Sequence, residues 1–408
     1  MAEPPRRERL MMMATTALPL PESSRAVLRV LASGGAITRP QLGAVLNLSK
    51  PTMSAAIAEL SALGLVESAG SHKGPMGRTA TVYRLGRAAG YAIGVDVGAA
   101  QVRAIAQTLD GKTLAATEEP IPRQNVGSDG ISALVADVVR SAISAVGEGQ
   151  GPLRCVAVAL PRVVTSRPLH LNKRRPPETL VARLRTALEA PVIIENNVNC
   201  ASLAELTYGA ARDRSTFAYL QVGVRIGMGI VLDGKLFRGF NGAAGEVGRM
   251  PFPWSGDAHP RREGAEQYLG SRALLERSLA GWPAAEGPPP ASAKELFAAA
   301  AAGSAHARYW VGRHAADIGA LIAGCVGIID PGLVVLGGGV GQNPLLLAPV
   351  RRTVRDLAWT TEIVTSALGE NGTVLGAAHL AANHGLGLIL GEATHPTVVL
   401  PPLARETA

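Results

Sequence analysis

Residues 217–234, Phe217-Ala-Tyr-Leu-Gln-Val-Gly-Val-Arg-Ile-Gly-Met-Gly-Ile-Val-Leu-Asp-Gly234, read as an apolar strand, a glycine turn and a returning strand. The same layout occurs earlier. Ala92-Ile-Gly-Val-Asp-Val-Gly98 is a buried strand ending in a tight turn, and Val102–Gly111 follows as a second strand and hairpin turn. Val334-Val-Leu-Gly-Gly-Gly339 is a further strand entering a glycine turn, and residues 191–205 read as a buried strand running into a helix. Two related strand–turn–strand openings predict an α/β chain with two lobes around a cleft. A glycine turn between strands can aim backbone N–H groups at a phosphate.

The first ninety residues are built differently. Val27, Leu28 and Leu31 mark the apolar face of a helix that Gly34-Gly35 stops. Thr38-Arg-Pro-Gln41 is a capping box with proline in the first turn, opening a short helix whose Leu42, Val45 and Leu46 are expected on one buried face. Ser49 caps a third helix with Met53, Ala56, Ile57, Leu60 and Leu63 as its buried stripe, and Gly64 ends it. A strand from Leu65, a tip between Gly70 and Gly77, and a return over Thr79–Leu85 complete a wing.

Three short helices and a hairpin predict a winged helix-turn-helix over 21–87, with the third helix entering a DNA major groove N-terminus first. Lys50, Thr52 and Ser54 are its exposed polar residues, behind Ser49; Arg39, Lys73 and Arg78 are placed for phosphates or a minor groove. Residues 1–87 hold eleven Lys/Arg against five Asp/Glu, a net of +6 in a chain of +8. The excess sits where the DNA contact is expected. The competing reading is a small helical interaction domain with ordinary solvated charges.

With 47% apolar residues in 408, the chain can fill two to three cores, so wholesale disorder is excluded. Cys155, Cys200 and Cys325 are scattered without metal-ligand spacing, which fits a reducing cytosol and predicts neither disulfide nor metal. No apolar run reads as clean and long enough to span a bilayer. The Arg-rich residues 1–20 read as a disordered arm rather than a signal peptide, and a cytoplasmic protein is expected.

Beyond the wing, Ile93–Gly98, Glu195-Asn-Asn-Val-Asn199 with Ala204-Glu205, Gly242-Ala-Ala-Gly-Glu-Val-Gly248, Asp330–Gly339 and Leu375-Gly-Ala-Ala378 resemble, in order and spacing, the ROK family of bacterial sugar kinases and repressors. Leu48–Ser54 and Gly77-Arg78 resemble the recognition helix and wing of its repressor branch. The resemblance implies a two-lobed actin-like (ribonuclease H-like) sugar-kinase fold behind the winged helix. The expected lobes are 90–198 plus 372–388, and 199–371, with a tail over 389–408.

The resemblance also implies site residues. Asn196, Glu246 and Glu266 fall at family positions that bind sugar hydroxyls. Asn197 stands where family kinases carry the carboxylate that takes the proton from the attacking hydroxyl; an amide cannot take it. Ala99-Ala100-Gln101 and Gly223-Val224-Arg225 replace the usual phosphate-loop residues, Ala159-Leu-Pro-Arg162 replaces a Gly-x-Pro-Gly turn, and Arg249 replaces a zinc-binding His whose Cys-rich loop is absent from 250–265.

The expectation is a transcriptional regulator of sugar-related genes, without cofactor, metal or kinase activity, bound as a homodimer or homotetramer to a near-palindromic duplex operator. Its effector is expected to be a sugar or, through Arg249, an anionic sugar derivative held with Asn196, Asn197, Glu246 and Glu266. Open alternatives are a sugar kinase with an added DNA-binding head, and a ligand-independent regulator in which Glu246 and Arg249 form an ion pair within a vestigial cleft.

Overall fold

A computed structural model describes residues 18–73, 79–122, 128–164, 178–188, 190–253, 263–392 and 398–400. The winged helix comprises α1 (Glu22–Gly34), β1 (Ile37–Thr38), α2 (Arg39–Leu46), α3 (Lys50–Ala62), β2 (Val66–Lys73) and β3 (Thr79–Leu85). The capping box forms in full: Gln41 N–H donates to Thr38 Oγ1, and Thr38 N–H donates to Gln41 Oε1 at 3.0 Å. Met53, Ala56, Ile57 and Leu60 are buried as expected, and Gly64 takes the left-handed φ of +67° that ends the helix.

Leu46 and Leu63, expected on buried faces, are only half-buried, and two further details differ from the sequence expectation. Val45 is 62% exposed, because α2 is only two turns long and buries Leu42 alone. A short β1, not expected, pairs with β3, so the sheet order is β1-β3-β2.

A single 3₁₀ turn, Arg87–Ala89, leads to the first lobe: β4 (Tyr91–Val97), β5 (Gln101–Thr108), β6 (Thr113–Pro120), α4 (Ser128–Val146), β7 (Leu153–Leu160), α5 (Glu178–Ala187) and β8 (Val192–Asn196). The second lobe follows as α6 (Asn197–Thr207), β9 (Phe217–Val222), β10 (Ile226–Leu232), β11 (Lys235–Leu236), α7 (Gly264–Leu269), α8 (Ser271–Leu279), α9 (Ala293–Ala302), α10 (Ala305–Ile329), β12 (Leu333–Gly337), α11 (Gly338–Gly341), α12 (Pro344–Leu357) and β13 (Glu362–Thr365). α13 (Gly372–Leu390) and β14 (Val398–Leu400) end the described chain. By contacts the chain divides into 1–197 with 377–408, and 198–376.

The two large sheets share one plan. The first runs β14-β8-β7-β4-β5-β6 and the second β11-β10-β9-β12-β13. In each, an antiparallel three-strand meander is extended by two parallel strands reached through helical crossovers. This is the duplicated α/β architecture that the two glycine-turn stretches predict. Along β9 the alternation serves two layers: Phe217 and Tyr219 pack with Val198 and Ala201 of α6, while Ala218, Leu220 and Val222 face the core of α10 and α12.

Gly94 has a positional reason. A Cβ there would lie 2.0 Å from the Ala378 backbone nitrogen, so the backbone of α13 rests directly on β4.

Among the described residues, the inner edges of the expected arm and tail are ordered. Leu18 N–H donates to the Ile389 carbonyl, Leu20 is buried, and β14 adds an antiparallel edge to β8. The expectation about membrane spans is also corrected. Two helical stretches, Ala305–Ile329 and Gly369–Leu390, are long and apolar enough to cross a bilayer by length and composition. Half or more of each is buried within the fold, as in core helices.

Candidate functional site

The first turn of α3 gathers four of the expected DNA-contact residues. Ser49 is the N-cap and accepts from Thr52 N–H at 3.3 Å; the two hydroxyls lie 2.8 Å apart. Ser54 is half-buried, and its hydroxyl donates back to the Lys50 carbonyl at 2.8 Å. Three hydroxyls are thus engaged in the helix itself, while Lys50 stands exposed with a free-reaching cation. Arg39 is exposed at the start of α2. Lys73 is the last residue of β2, and Arg78 lies outside the described residues. An ion pair between Arg84 and Glu67, 2.7 Å across the wing strands, escaped the sequence reading because β-register sets it.

On the first lobe, Asp96 sits opposite Arg103 in the β4–β5 ladder. Burial pushes its carboxyl up to about 6, although the Arg103 charge draws it back. The following turn closes by Gly98 N–H donating to the Gln101 carbonyl at 3.0 Å, and exposes Ala99 and Ala100. The turn offers neither hydroxyl nor cation to a phosphate. At the end of β8, Asn196 Nδ2 donates to the Arg162 carbonyl at 2.9 Å, and its backbone N–H donates to Glu195 Oε1 at 2.8 Å. The departure at Arg162 therefore still positions Asn196 through its backbone. Asn197 opens α6, half-buried, and no side-chain partner for it occurs among the described residues.

On the second lobe, three loops converge. Gly245 lies at φ +80°, and a Cβ there would stand 1.8 Å from the Met228 carbonyl oxygen. The turn carrying Glu246 is thereby pressed onto β10. Arg249 N–H donates to the Glu246 carbonyl at 3.0 Å across the 3₁₀ turn Val247–Arg249. A Cβ placed on Gly248 would lie 3.4 Å from Glu266 Oε2, so the Glu266 carboxylate overlies this turn. The 223–225 loop is locked beside it: Gly223 N–H donates to the Arg225 carbonyl at 3.1 Å, and Ser271 N–H donates to the Gly223 carbonyl at 2.8 Å.

The Glu246 carboxyl is held above its ordinary range, first by burial. Arg249 and Arg225 pull it down, and Glu266 and Glu263 push it up. Glu246, Arg249 and Glu266 are thus brought together on one lobe. Arg225 and Glu263 join them without having been expected there, since they meet only when the three loops fold together. Among the described residues no cluster of His, Cys, Asp and Glu could hold a metal ion, and residues 254–262 of the expected zinc-loop region lie outside them. Phe252, just before, is buried and packs edge-on to Tyr268 with ring centroids 6.2 Å apart.

The ROK family profile matches residues 92–384, and a MarR family profile matches 19–73. The xylose repressor of Bacillus subtilis is 23% identical over 391 residues, 90% of this chain and 96% of that protein. The bifunctional enzyme NanE/NanK of Brucella melitensis is 33% identical over 212 residues, 51% of this chain, and the match spans 39% of that protein's length. Among solved structures, a ROK family transcriptional regulator that is a homologue of the E. coli MLC protein superposes with a TM-score of 0.71 at 21% identity, over 93% of this chain and 98% of its own. A ROK family glucokinase from Streptomyces griseus, in complex with glucose and AMPPNP, gives a TM-score of 0.60 at 25% identity over 72% of this chain and 100% of its own.

Proposed function

Since the chain belongs to the ROK family, we propose that it is a DNA-binding transcriptional regulator of sugar-related genes whose kinase-derived lobes sense a ligand without phosphorylating it. The observation that carries this reading is the capped α3 of a winged helix joined to those lobes by one 3₁₀ turn. Support comes from the xylose repressor, which aligns along nearly all of both chains, whereas the glucokinase covers 72% of this chain with the whole of its own.

The chain binds a near-palindromic duplex as a symmetric dimer or tetramer in the cytoplasm, with paired recognition helices about 34 Å apart. Lys50 carries base preference with help from Thr52 and Ser54, and Arg39, Lys73 and Arg78 add phosphate affinity. Selection from a random duplex library, with the full chain, tests this. Enrichment of a two-fold motif is expected, with Lys50→Ala lowering affinity for it. Recovery of no preferred sequence would refute the regulator reading.

The ligand is a sugar or anionic sugar derivative contacted by Asn196, Asn197, Glu246, Arg249 and Glu266. A half-buried carboxylate beside two guanidiniums suits a molecule with both hydroxyls and negative charge. Calorimetry with sugars, sugar acids and sugar phosphates, on the native protein and on Glu246→Ala and Arg249→Ala, decides it; binding unchanged in both variants removes this assignment.

A second reading, a sugar kinase with a DNA-binding head, draws on the glucokinase likeness. Asn197 and the 98–101 turn speak against it. Sugar-dependent ADP release at ordinary kinase rates by the native protein would establish it. Asn197→Asp alone is expected to remain inactive, because the phosphate still lacks positioning groups.

A further inference from the structure

The corner where α7, α8 and α10 meet holds polar groups with nothing to bond. Among the described residues, all three guanidinium nitrogens of Arg277 on α8 are shut off from solvent and lack a hydrogen-bond partner. So do both ring nitrogens of His314 on α10, which is 0% exposed. The Arg277 guanidinium carbon lies 3.9 Å above the Tyr268 ring and 6.0 Å from the Trp310 ring. Stacking on aromatic rings satisfies the face of a guanidinium. Its five N–H donors point outward in its plane and still need acceptors.

The carboxylate at this corner is already engaged: Asp317 accepts from Tyr268 Oη at 3.0 Å and pairs with Arg313 at 3.3 Å. Arg313 and Tyr268 therefore occupy the one carboxylate, and Arg277 is left beside the His314 imidazole, which must carry at least one N–H. An ionised group enclosed without a partner is among the most destabilising arrangements a fold can contain. An acceptor of negative charge removes that conflict. It must be small, and the side chains around it must part to admit it, because the surrounding atoms leave the guanidinium no solvent contact. It must also take N–H groups from several directions, as a spherical anion does.

We propose that Arg277 and His314 form an enclosed site in the second lobe for a small monovalent inorganic anion of chloride size. The site is separate from the Glu246–Arg249–Glu266 group and stands whether or not that group binds a sugar. Occupancy braces Tyr268, which shares the short helix α7 with Glu266.

The test is thermal unfolding of the full chain in sodium gluconate, exchanged stepwise for sodium chloride or bromide at constant ionic strength. A ligand of the folded state alone stabilises by mass action, so a saturable rise of roughly 5 °C is expected in the native protein. Arg277→Met and His314→Phe should each flatten it. Identical unfolding of the native protein in gluconate and halide would overturn the proposal and leave water as the occupant. If either variant fails to fold, anomalous diffraction from bromide-grown crystals of the native protein decides: a peak beside Arg277 supports the site, and its absence there refutes it.

Discussion

The junction under the winged helix and the α7–α8–α10 corner of the second lobe each enclose an arginine, and they treat it in opposite ways. Arg154 at the start of β7 is buried, with Nε donating to the Ala89 carbonyl at 2.8 Å and Nη2 to the Ala88 carbonyl at 2.7 Å. Those carbonyls belong to the 3₁₀ turn that links the two domains. The packing there is close: Gly90, at φ +83°, would place a Cβ 2.2 Å from the Pro152 carbonyl oxygen and 3.2 Å from Arg154 Nε. Burial pushes the Arg154 guanidinium down to about 10. The Arg277 guanidinium is enclosed with no acceptor among the described residues. A buried cation that ties down backbone carbonyls explains itself as structure; one without acceptors points to a partner outside the chain.

The strongest way to break this comparison is to remove each cation. Arg154→Met leaves two carbonyls without donors, at about 1–3 kcal/mol each, so urea unfolding should show a loss of about 3 kcal/mol. Arg277→Met in chloride-free buffer should be neutral or stabilising, since it removes an unpaired charge. Equal losses for both variants would erase the distinction.

Acidification separates the lobes in another way. Asp96 has a folded pKa of about 6 against an ordinary 3.8. The folded state therefore holds the extra proton between those values, and stability from this group falls as pH rises from about 4 to 6. At 1.36 kcal/mol per unit the effect is about 3 kcal/mol, and Asp96→Asn should remove it from a stability–pH profile. His314 has the opposite sign. Burial pushes it down to about 3 from 6.5, so its contribution is present above pH 6.5 and lost as pH falls toward 3. His314→Phe should make stability less sensitive to acid in that window. If the two variants shift the profile in the same direction, one of these assignments is wrong.

Smaller effects sharpen the same contrast. Thr38→Ala breaks the capping box of α2 and should lower stability by about 1 kcal/mol in urea unfolding. Arg29→Ala cuts a second clasp of the winged helix, the ion pair between α1 and Glu392. Both side chains are 40% exposed, so the loss should be about 0.5 kcal/mol or less. A loss near that of Arg154→Met would mean that the rim of the junction, and not its buried centre, holds the domains together.

What the sequence determined by itself was local or periodic. Thr38 with Gln41, Ser49 with Thr52, and the stripe from Met53 to Leu60 act over three or four residues, where geometry follows directly from helix pitch. The paired glycine-turn stretches likewise predicted two lobes, because alternation and turn chemistry recur in order along the chain. The residues grouped on the second lobe were half legible: Glu246, Arg249 and Glu266 came from the family resemblance of the sequence, while Arg225 and Glu263 were not expected there.

What only the tertiary structure decided depends on which face is covered, and by what. Val45 lies on an apolar pattern yet is exposed, because the two-turn α2 turns Leu42, and not Val45, toward the elements packed against it. The apolar runs of α10 and α13 match a bilayer in composition, but other elements of the fold bury them. Ile37-Thr38 and Val398–Leu400 become strands only because β3 and β8 present open edges. Nothing in the local sequence of Arg154, between Leu153 and Cys155, or of Arg277, between Glu276 and Ser278, tells which will find acceptors. Their opposite fates are set by residues up to 66 positions away in one case, and by the packing of three helices in the other. Contacts at that range are fixed by packing density and strand register, and neither quantity is carried by any local stretch of the chain.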